Sequence, residues 1–234
     1  MTKSAMITIA GRPNVGKSTL TNAMVGEKIA IVSNKPQTTR NRICGVLTRG
    51  ETQLIFMDTP GFHKPRTKLG DYLVNIVQES VADVDVTFLL VEPIANVGVQ
   101  EQELINQIQA SGAPAVLVIN KIDTVEKDEL LAVIAAYSQA FDFAAIIPIS
   151  AKTGEGVELL LSEAEKYAQE GPHFFPDDAV TDQPERQIMA EIIREKLLWC
   201  LEREIPHGTA VEITRFTERD NGIIDLDATG AFPG

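Results

Sequence analysis

IAGRPNVGKSTLTNAMVG, which runs from Ile9 to Gly26, gives the strongest indication of the fold in this sequence. It begins apolar, passes through Gly11–Ser18, which matches the pattern GxxxxGK followed by Ser or Thr, and ends in a helical pattern. Glycines let the backbone fold around an anion so that successive amide N–H groups point at phosphate oxygens, and the dipole of the following helix adds to the attraction. The stretch therefore predicts a strand, a phosphate-binding loop and a helix, in this order.

The side chains of this loop predict a bound nucleoside triphosphate with Mg²⁺. Lys17 is expected to reach the β and γ phosphates, and the hydroxyl of Ser18 to bind the metal. The alternative is a glycine-rich turn without a ligand, and the strand before the loop and the helix after it argue against that. The predicted binding residues of the loop are Gly11, Arg12, Pro13, Asn14, Val15, Gly16, Lys17, Ser18 and Thr19.

Outward from this loop, apolar runs alternate with amphipathic helical patterns from Ala5 to about Ala168. Several apolar runs are nearly unbroken in Val, Ile and Leu, which is typical of strands that helices cover on both faces of a parallel sheet. The helical patterns include one over residues 69–82. We predict an α/β doubly wound, mostly parallel sheet of the P-loop NTPase class. ICGVLTRGETQLIFMD reads as a hairpin that turns at Arg49–Glu51, so one antiparallel edge strand is expected.

The composition changes after Ala168. Residues 169–184 hold three prolines and three aspartates without periodicity, and they read as a linker. A helical pattern follows from Glu185, and two strand patterns over 208–216 and 222–229 flank the turn ERDNG. We therefore predict an α/β domain over 1–168, a linker over 169–184, and an incomplete α+β region over 185–234.

A second pattern, DxxG, follows the predicted strand TQLIFMD, at the edge where an acid can face the metal of a phosphate-binding site. Asp58 is expected to act on Mg²⁺ through water, and the amide of Gly61 to meet the γ-phosphate. The predicted binding residues here are Asp58, Thr59, Pro60 and Gly61.

Two further patterns follow later strands and predict that the base is guanine. The carboxylate of Asp123, in Asn120-Lys-Ile-Asp, can accept from both N1–H and the N2 amino group of guanine, a donor pair that adenine lacks. Asn120 is expected to tie loops together, and the stem of Lys121 to lie along the base. A plain loop with a capping Asp is the alternative. Backbone N–H groups of Ser150, Ala151 and Lys152 are expected to contact guanine O6.

The composition excludes several other classes of protein. A formal charge of -12 argues against non-specific adhesion to nucleic acid or anionic lipid, and no DNA partner is expected. Cys44 and Cys200 are far apart and the three histidines are scattered, which predicts reduced thiols and no structural metal site. The N-terminus lacks the apolar core of a signal peptide, so we expect a cytoplasmic protein, with peripheral contact at the inner face of the cell membrane left open.

Taken in order, GRPNVGKST, QTTR, DTPGFHKP, NKID and SAKTG resemble the Era-like family of the translation-factor-related GTPases. The later IIREKLL and REIPHGTAVEI resemble the start of that family's C-terminal KH domain, an RNA-binding module. The resemblance covers nearly the whole chain. It implies a Mg²⁺-dependent GTPase that switches between GTP and GDP and acts with 16S rRNA in the assembly of the small ribosomal subunit.

The resemblance also implies roles for single residues. It places a first switch at Ser33–Arg42 and the start of a second at Asp58–Lys68. It implies Ser18, Asp58 and either Thr38 or Thr39 as metal ligands, with Thr39 preferred. Phe62 stands where Ras-like GTPases carry a water-orienting Gln, so hydrolysis is expected to be slow or to use backbone groups and a cation. Asn14 is then expected to help bind K⁺. The predicted catalytic residues are Lys17, Asn14, Thr39 and Gly61.

The resemblance breaks at the C-terminal end. A KH domain clamps single-stranded RNA with a GxxG loop between two helices, and in this family that loop follows the second strand. IDLDATGAFPG contains neither the loop nor its helices, so we expect a truncated KH-like region without the RNA-gripping part. Three alternatives stay open: a pure GTP/GDP binding switch with negligible unassisted hydrolysis, a related GTPase that acts on tRNA modification, and an adenine-nucleotide kinase in which NKID is incidental.

Overall fold

A computed structural model describes residues 1–32, 44–58, 84–200, 210–219, 221 and 223–231. Its strands are β1 (Lys3–Ala10), β2 (Cys44–Arg49), β3 (Thr52–Asp58), β4 (Val86–Val91), β5 (Ala115–Ile119), β6 (Ala145–Pro148), β7 (Gln169–Glu170), β8 (Ala210–Glu218) and β9 (Ile224–Ala231). Its helices are α1 (Lys17–Val25), α2 (Val99–Ser111), α3 (Lys127–Ala140), α4 (Val157–Glu165) and α5 (Glu185–Cys200). The helix predicted over 69–82 lies outside the described residues.

The first seven of these strands form a sheet in the order β2-β3-β1-β4-β5-β6, with β7 beside the start of β1. Strand β1 pairs in parallel with β3 and β4, and β4-β5 and β5-β6 are parallel as well. Strand β2 runs antiparallel to β3, and Gly50, with φ of 60°, makes the turn between them. Both the mostly parallel sheet and the antiparallel edge strand are thereby confirmed.

Helices cover both faces of the sheet, and β4 shows why its strands are nearly unbroken in apolar residues. Val86, Phe88 and Leu90 belong to the core on one face, where helices α1 and α4 pack. Leu89 and Val91 belong to the core on the other face, beneath α2 and α3. Because successive side chains of a strand point to opposite faces, a strand buried on both sides is apolar at nearly every position, and Thr87 is the one polar residue of β4.

Residues 169–182, within the predicted linker, lie along the sheet. Gln53, a fully buried residue of β3, receives hydrogen bonds at its Oε1 from the N–H groups of Phe174 and Phe175, and its Nε2 donates to the carbonyl of Phe175 at 3.0 Å. Farther along, Asp182 Oδ1 accepts from the N–H of Cys44 at 3.1 Å. We call residues 169–182 the strap, since they bind across strands from β1 to β2.

The C-terminal part consists of α5 and the antiparallel hairpin β8-β9, which agrees with the predicted order helix, strand, strand. Ile213 of β8 is buried, and the guanidinium of Arg186 on α5 contacts its carbonyl. The buried carboxylate of Glu195 joins α5 to the loop after α1, where it accepts from Lys28 Nζ at 2.8 Å and from the N–H of Val32 at 3.4 Å. None of the helices in the described ranges is both long and apolar enough to cross a bilayer.

Candidate nucleotide site

The predicted site residues that the structure describes lie at one edge of the sheet, because parallel strands end there together. The phosphate-binding loop follows β1, Asp58 ends β3, Asn120 follows β5, and Ser150 comes shortly after β6. In open α/β sheets, ligands bind in the crevice outside the carboxyl ends of the strands. Residues that are up to 139 positions apart in the chain, from Gly11 to Ser150, therefore reach one place.

The backbone of the phosphate-binding loop requires glycine at two positions. Gly16 caps the start of α1 in a left-handed conformation, with φ of 102°, and an added Cβ would collide with the side-chain amide of Asn120. At Gly11, a Cβ would lie 2.6 Å from the carbonyl oxygen of Leu90. Asn14 also has a positive φ, of 65°. The loop is therefore a tight cradle closed by its neighbours.

Lys17 lies across this cradle. Its Nζ donates to the carbonyls of Gly11 and Arg12, at 2.9 Å in both cases. The ammonium group is thus held at the loop where phosphate oxygens would bind. Ser18 and Thr19 are in the first turn of α1, Val15 is buried, and Pro13 is exposed at the tip of the loop.

Asn120 joins three loops, as predicted. Its Nδ2 donates to the carbonyl of Val15 at 2.8 Å, its Oδ1 accepts from the N–H of Ala151 at 2.9 Å, and its own N–H donates to the carbonyl of Val91. The residue is 2% exposed, so these bonds are shielded from water. One side chain therefore sets the spacing between the phosphate-binding loop and the loop after β6.

Asp123 lies at the surface of the same crevice, and Ser150 orients its carboxylate. The hydroxyl of Ser150, a fully buried residue, donates to Asp123 Oδ1 at 2.8 Å. The motifs indicated neither this role of the Ser150 side chain nor its partner. The N–H groups of Ser150 and Ala151 donate to Glu155 and Asn120 within the protein, and Lys152 is exposed, so the contact of this segment with guanine O6 stays a prediction.

A row of four charged side chains, not predicted from the sequence, lies beside the phosphate-binding loop. Its members, in order, are Glu101, Arg12, Glu92 and Lys121, and we call it the charged row. Arg12 Nε pairs with Glu101 Oε1, Arg12 Nη2 lies 3.2 Å from Glu92 Oε2, and Lys121 Nζ pairs with Glu92 Oε1. A signal for Glu92 did exist, since it directly follows β4 at the edge where the other site residues lie.

The inner end of the charged row acts electrostatically on a buried phenol, that of Tyr137. Burial, followed by the charge of Glu101, raises the pKa of Tyr137 to about 12, with Arg12 acting in the opposite direction. Tyr137 therefore stays neutral at physiological pH and belongs to the apolar core beneath α2 and α3.

For Mg²⁺, the described residues include Ser18 on α1 and the backbone of Asp58 at the end of β3. No group of three or more His, Cys, Asp or Glu in the described ranges is arranged to hold a metal ion. Proteins usually hold Mg²⁺ through one or two carboxylates, water and the phosphates of the substrate. The remaining predicted residues, Thr38, Thr39, Thr59, Pro60, Gly61 and Phe62, lie outside the described residues.

Comparison with known proteins identifies relatives along the whole chain. The family described as "50S ribosome-binding GTPase" matches residues 6–121. The GTPase Era of Ruminiclostridium cellulolyticum is 53% identical over 227 residues, which span 97% of this chain and 76% of the relative. The GTPase Era of Clostridium kluyveri is 48% identical over 98% of this chain and 78% of the relative.

Two solved structures extend the likeness to three dimensions. Era in complex with MgGDPNP and nucleotides 1506–1542 of 16S ribosomal RNA is 34% identical, covers 98% of this chain and 79% of its own, and has a TM-score of 0.81. A variant of Aquifex aeolicus Era bound to GDP·AlF4⁻ is also 34% identical, covers 97% of this chain and 78% of its own, and has the same TM-score of 0.81.

Proposed function

The chain belongs to the Era family of GTPases, and we propose that it is a GTP/GDP switch whose nucleotide state controls its binding to 16S rRNA in small-subunit assembly. The observation that carries this proposal is the likeness to Era bound to both MgGDPNP and a 16S rRNA segment, which extends over 98% of this chain. A GTPase that binds RNA in one nucleotide state and releases it in the other can order a step of assembly.

In this proposal, the loop over Gly11–Thr19 binds the phosphates and Asp123 selects guanine. In phosphoryl transfer, the protein works mainly by positioning and by stabilising charge on the γ-phosphate oxygens. Lys17 Nζ, held 2.9 Å from two carbonyls of the loop, supplies a positive charge at the place where that charge develops. Water attacks the γ-phosphorus, and the bond between the γ-phosphorus and the β–γ bridging oxygen breaks. The products are GDP and inorganic phosphate.

We assign Mg²⁺ to Ser18, Asp58 and Thr39, with Thr38 as the alternative to Thr39. The ion would neutralise charge on the β and γ phosphates. Phe62 cannot orient a water molecule, so we assign a supporting K⁺ to Asn14. The carbonyl oxygen of Asn14 accepts a hydrogen bond from Lys121 Nζ at 2.9 Å. Equal rates of GTP hydrolysis in sodium and potassium buffers would contradict the assignment of K⁺.

We propose the domain boundaries that the sequence predicts: a nucleotide domain over 1–168, a connecting segment over 169–184, and a KH-like region over 185–234. We assign RNA contact to the last of these. We also propose that the protein works in the cytoplasm, with peripheral association at the inner face of the cell membrane as a second location.

The direct test of the proposed switch is RNA binding as a function of nucleotide. An RNA with the sequence of the 3′ end of 16S rRNA is titrated with the protein in excess Mg²⁺, with either a non-hydrolysable GTP analogue or GDP. We expect tighter binding in the GTP-analogue state, and equal affinity in the two states would contradict the proposal. GTP hydrolysis with and without small-subunit particles then separates a hydrolysing switch from one that only binds.

A further inference from the structure

Glu92 touches the two loops that the proposed nucleotide needs. Its Oε2 faces Arg12, which is in the phosphate-binding loop, and its Oε1 faces Lys121, which is in the predicted guanine loop. No residue motif of the family resemblance includes Glu92, which comes from a third loop, directly after β4. A single carboxylate therefore bridges two binding loops without belonging to either.

The backbone on both sides of this bridge is strained. Among the described residues, Asn14 and Lys121 are the non-glycine positions with positive φ, of 65° and 63°. Lys121 Nζ connects them, since it also donates to the carbonyl of Asn14 at 2.9 Å. Such conformations persist only where the surroundings hold them. By pairing with Lys121 Nζ, Glu92 keeps that group in the place from which it reaches Asn14.

The charged row is shielded at one end and open at the other. The side chain of Glu101 is 6% exposed, whereas those of Arg12, Glu92 and Lys121 are 31%, 29% and 37% exposed. The buried carboxylate of Glu101 thus holds Arg12 in place. Glu92 pairs with both Arg12 and Lys121, and it therefore fixes Lys121 relative to Arg12. Partly buried charges that alternate in sign hold one another more firmly than isolated pairs at the surface.

We propose that Glu92 is a positioning residue for nucleotide binding, which acts through Arg12 and Lys121 to hold the phosphate-binding loop and the guanine loop at a fixed spacing. The inference rests on the proposed nucleotide site. Both GDP and GTP contact these two loops, so Glu92 contributes equally to the binding of both nucleotides. It acts on the hydrolysis step only indirectly, because its charged contacts are with Arg12 and Lys121, and Lys121 reaches Asn14 at the backbone carbonyl.

If Glu92 acted only through its charge, its replacement would change the nucleotide affinity in the opposite direction. Glu92 carries a negative charge near a site for an anion, so removing that charge would by itself strengthen binding, more for GTP than for GDP, and the gain would shrink with added salt. A positioning role predicts weaker binding for both nucleotides with little dependence on salt. The two explanations are therefore distinguished by whether the variant Glu92→Gln binds nucleotide more tightly or more weakly than the wild type.

The experiment compares the full chain with three variants, Glu92→Gln, Glu92→Asp and Glu103→Gln. Glu92→Gln removes the charge, Glu92→Asp keeps the charge but is too short to span both partners, and Glu103→Gln removes an exposed glutamate from α2 as the matched control. Affinities for fluorescent GDP and a fluorescent GTP analogue are measured at low and high salt, together with kcat and KM for GTP. Thermal unfolding without nucleotide reports whether each variant is folded.

We expect both Glu92 variants to bind GDP and the GTP analogue about 10-fold more weakly, as for loss of a charge-assisted hydrogen bond, with KM raised and kcat within about twofold. Glu103→Gln should match the wild type. Unchanged or tighter binding by Glu92→Gln, wild-type affinity in Glu92→Asp, or a loss confined to kcat would each overturn the inference. If the wild type itself bound no guanine nucleotide, the proposed function would fail, and the inference with it. If Glu92→Gln does not fold, Glu92→Asp decides.

Discussion

At the scale of single residues, the proposed selection of guanine depends on how rigidly Asp123 is held. A carboxylate that accepts two hydrogen bonds from guanine discriminates best when it is already oriented, because little freedom is then lost on binding. Ser150 supplies that orientation through a 2.8 Å hydrogen bond from a fully buried hydroxyl. The pattern NKID predicts Asp123, but it does not predict this support, which exists only because β5 and β6 are neighbours in the sheet.

Replacement of Ser150 by Ala tests this support. Without the hydroxyl, the Asp123 carboxylate loses a charge-assisted hydrogen bond, and we expect guanine nucleotides to bind about 10-fold more weakly. Weak residual binding of ATP should not change, since adenine does not engage the carboxylate. The affinities are measured by displacement of fluorescent GDP. Ser138→Ala, which removes an exposed hydroxyl bonded within its own helix, is the matched control and should have no effect.

Two glycines with positive φ allow a second test at this scale. Gly16 and Gly26 have φ of 102° and 83°, but a Cβ at Gly26 meets nothing within 4 Å, whereas one at Gly16 strikes Asn120. Gly26→Ala should therefore cost about 1 kcal/mol of unfolding free energy for the backbone alone. Gly16→Ala should cost at least about 2 kcal/mol more, because the hydrogen bonds of Asn120 are also broken. Urea unfolding without nucleotide measures both, and equal costs would contradict the role given to Asn120.

At the scale of elements, the strap shows what periodicity cannot predict. Its prolines and aspartates indicate a linker, yet its backbone is bonded to Gln53, which lies about 120 residues earlier in the chain. Patterns within a segment report which of its faces is apolar, and they carry no information about a distant side chain that satisfies its backbone. The strands of the sheet could be predicted because burial on both faces makes nearly every position of such a strand apolar.

The strap is expected to contribute less to the free energy of unfolding as pH rises, because His173 then loses its proton. Its Nδ1 lies 2.6 Å from Asp177 Oδ1 and its Nε2 lies 3.0 Å from the carbonyl oxygen of Glu51. These two acceptors, Asp177 first, raise the pKa of His173. A histidine whose pKa in the folded protein lies above its value of about 6.5 in the unfolded chain stabilises the folded state fully below that lower pKa. This stabilisation is lost as pH rises through the pKa of the folded state.

The difference in unfolding free energy between the wild type and His173→Gln should therefore be largest at about pH 6 or below and should shrink towards about pH 8. Urea unfolding of both proteins across this range measures it. A difference that did not vary with pH would show that the imidazole acts only through packing.

At the scale of the whole molecule, one sheet edge explains how scattered motifs become a site. Loops that follow β1, β3, β5 and β6 carry the predicted residues, and α5 attaches to the same domain through Glu195. The fold and the positions of Asn120 and Asp123 could be predicted, because each motif follows a strand whose end is known. The side-chain contacts of Glu92 and Ser150 could not, because their partners come from other loops and are specified only by the assembled sheet.

The most direct test of the account as a whole is the choice between guanine and adenine nucleotides. Unlabelled GTP and ATP are compared as competitors of fluorescent GDP for the wild-type chain in Mg²⁺. Because a site built to accept two hydrogen bonds from guanine leaves a carboxylate unpaired with adenine, GTP should displace the probe at a concentration about 1,000-fold lower than ATP, or lower still. Displacement by GTP and ATP at similar concentrations would contradict the account.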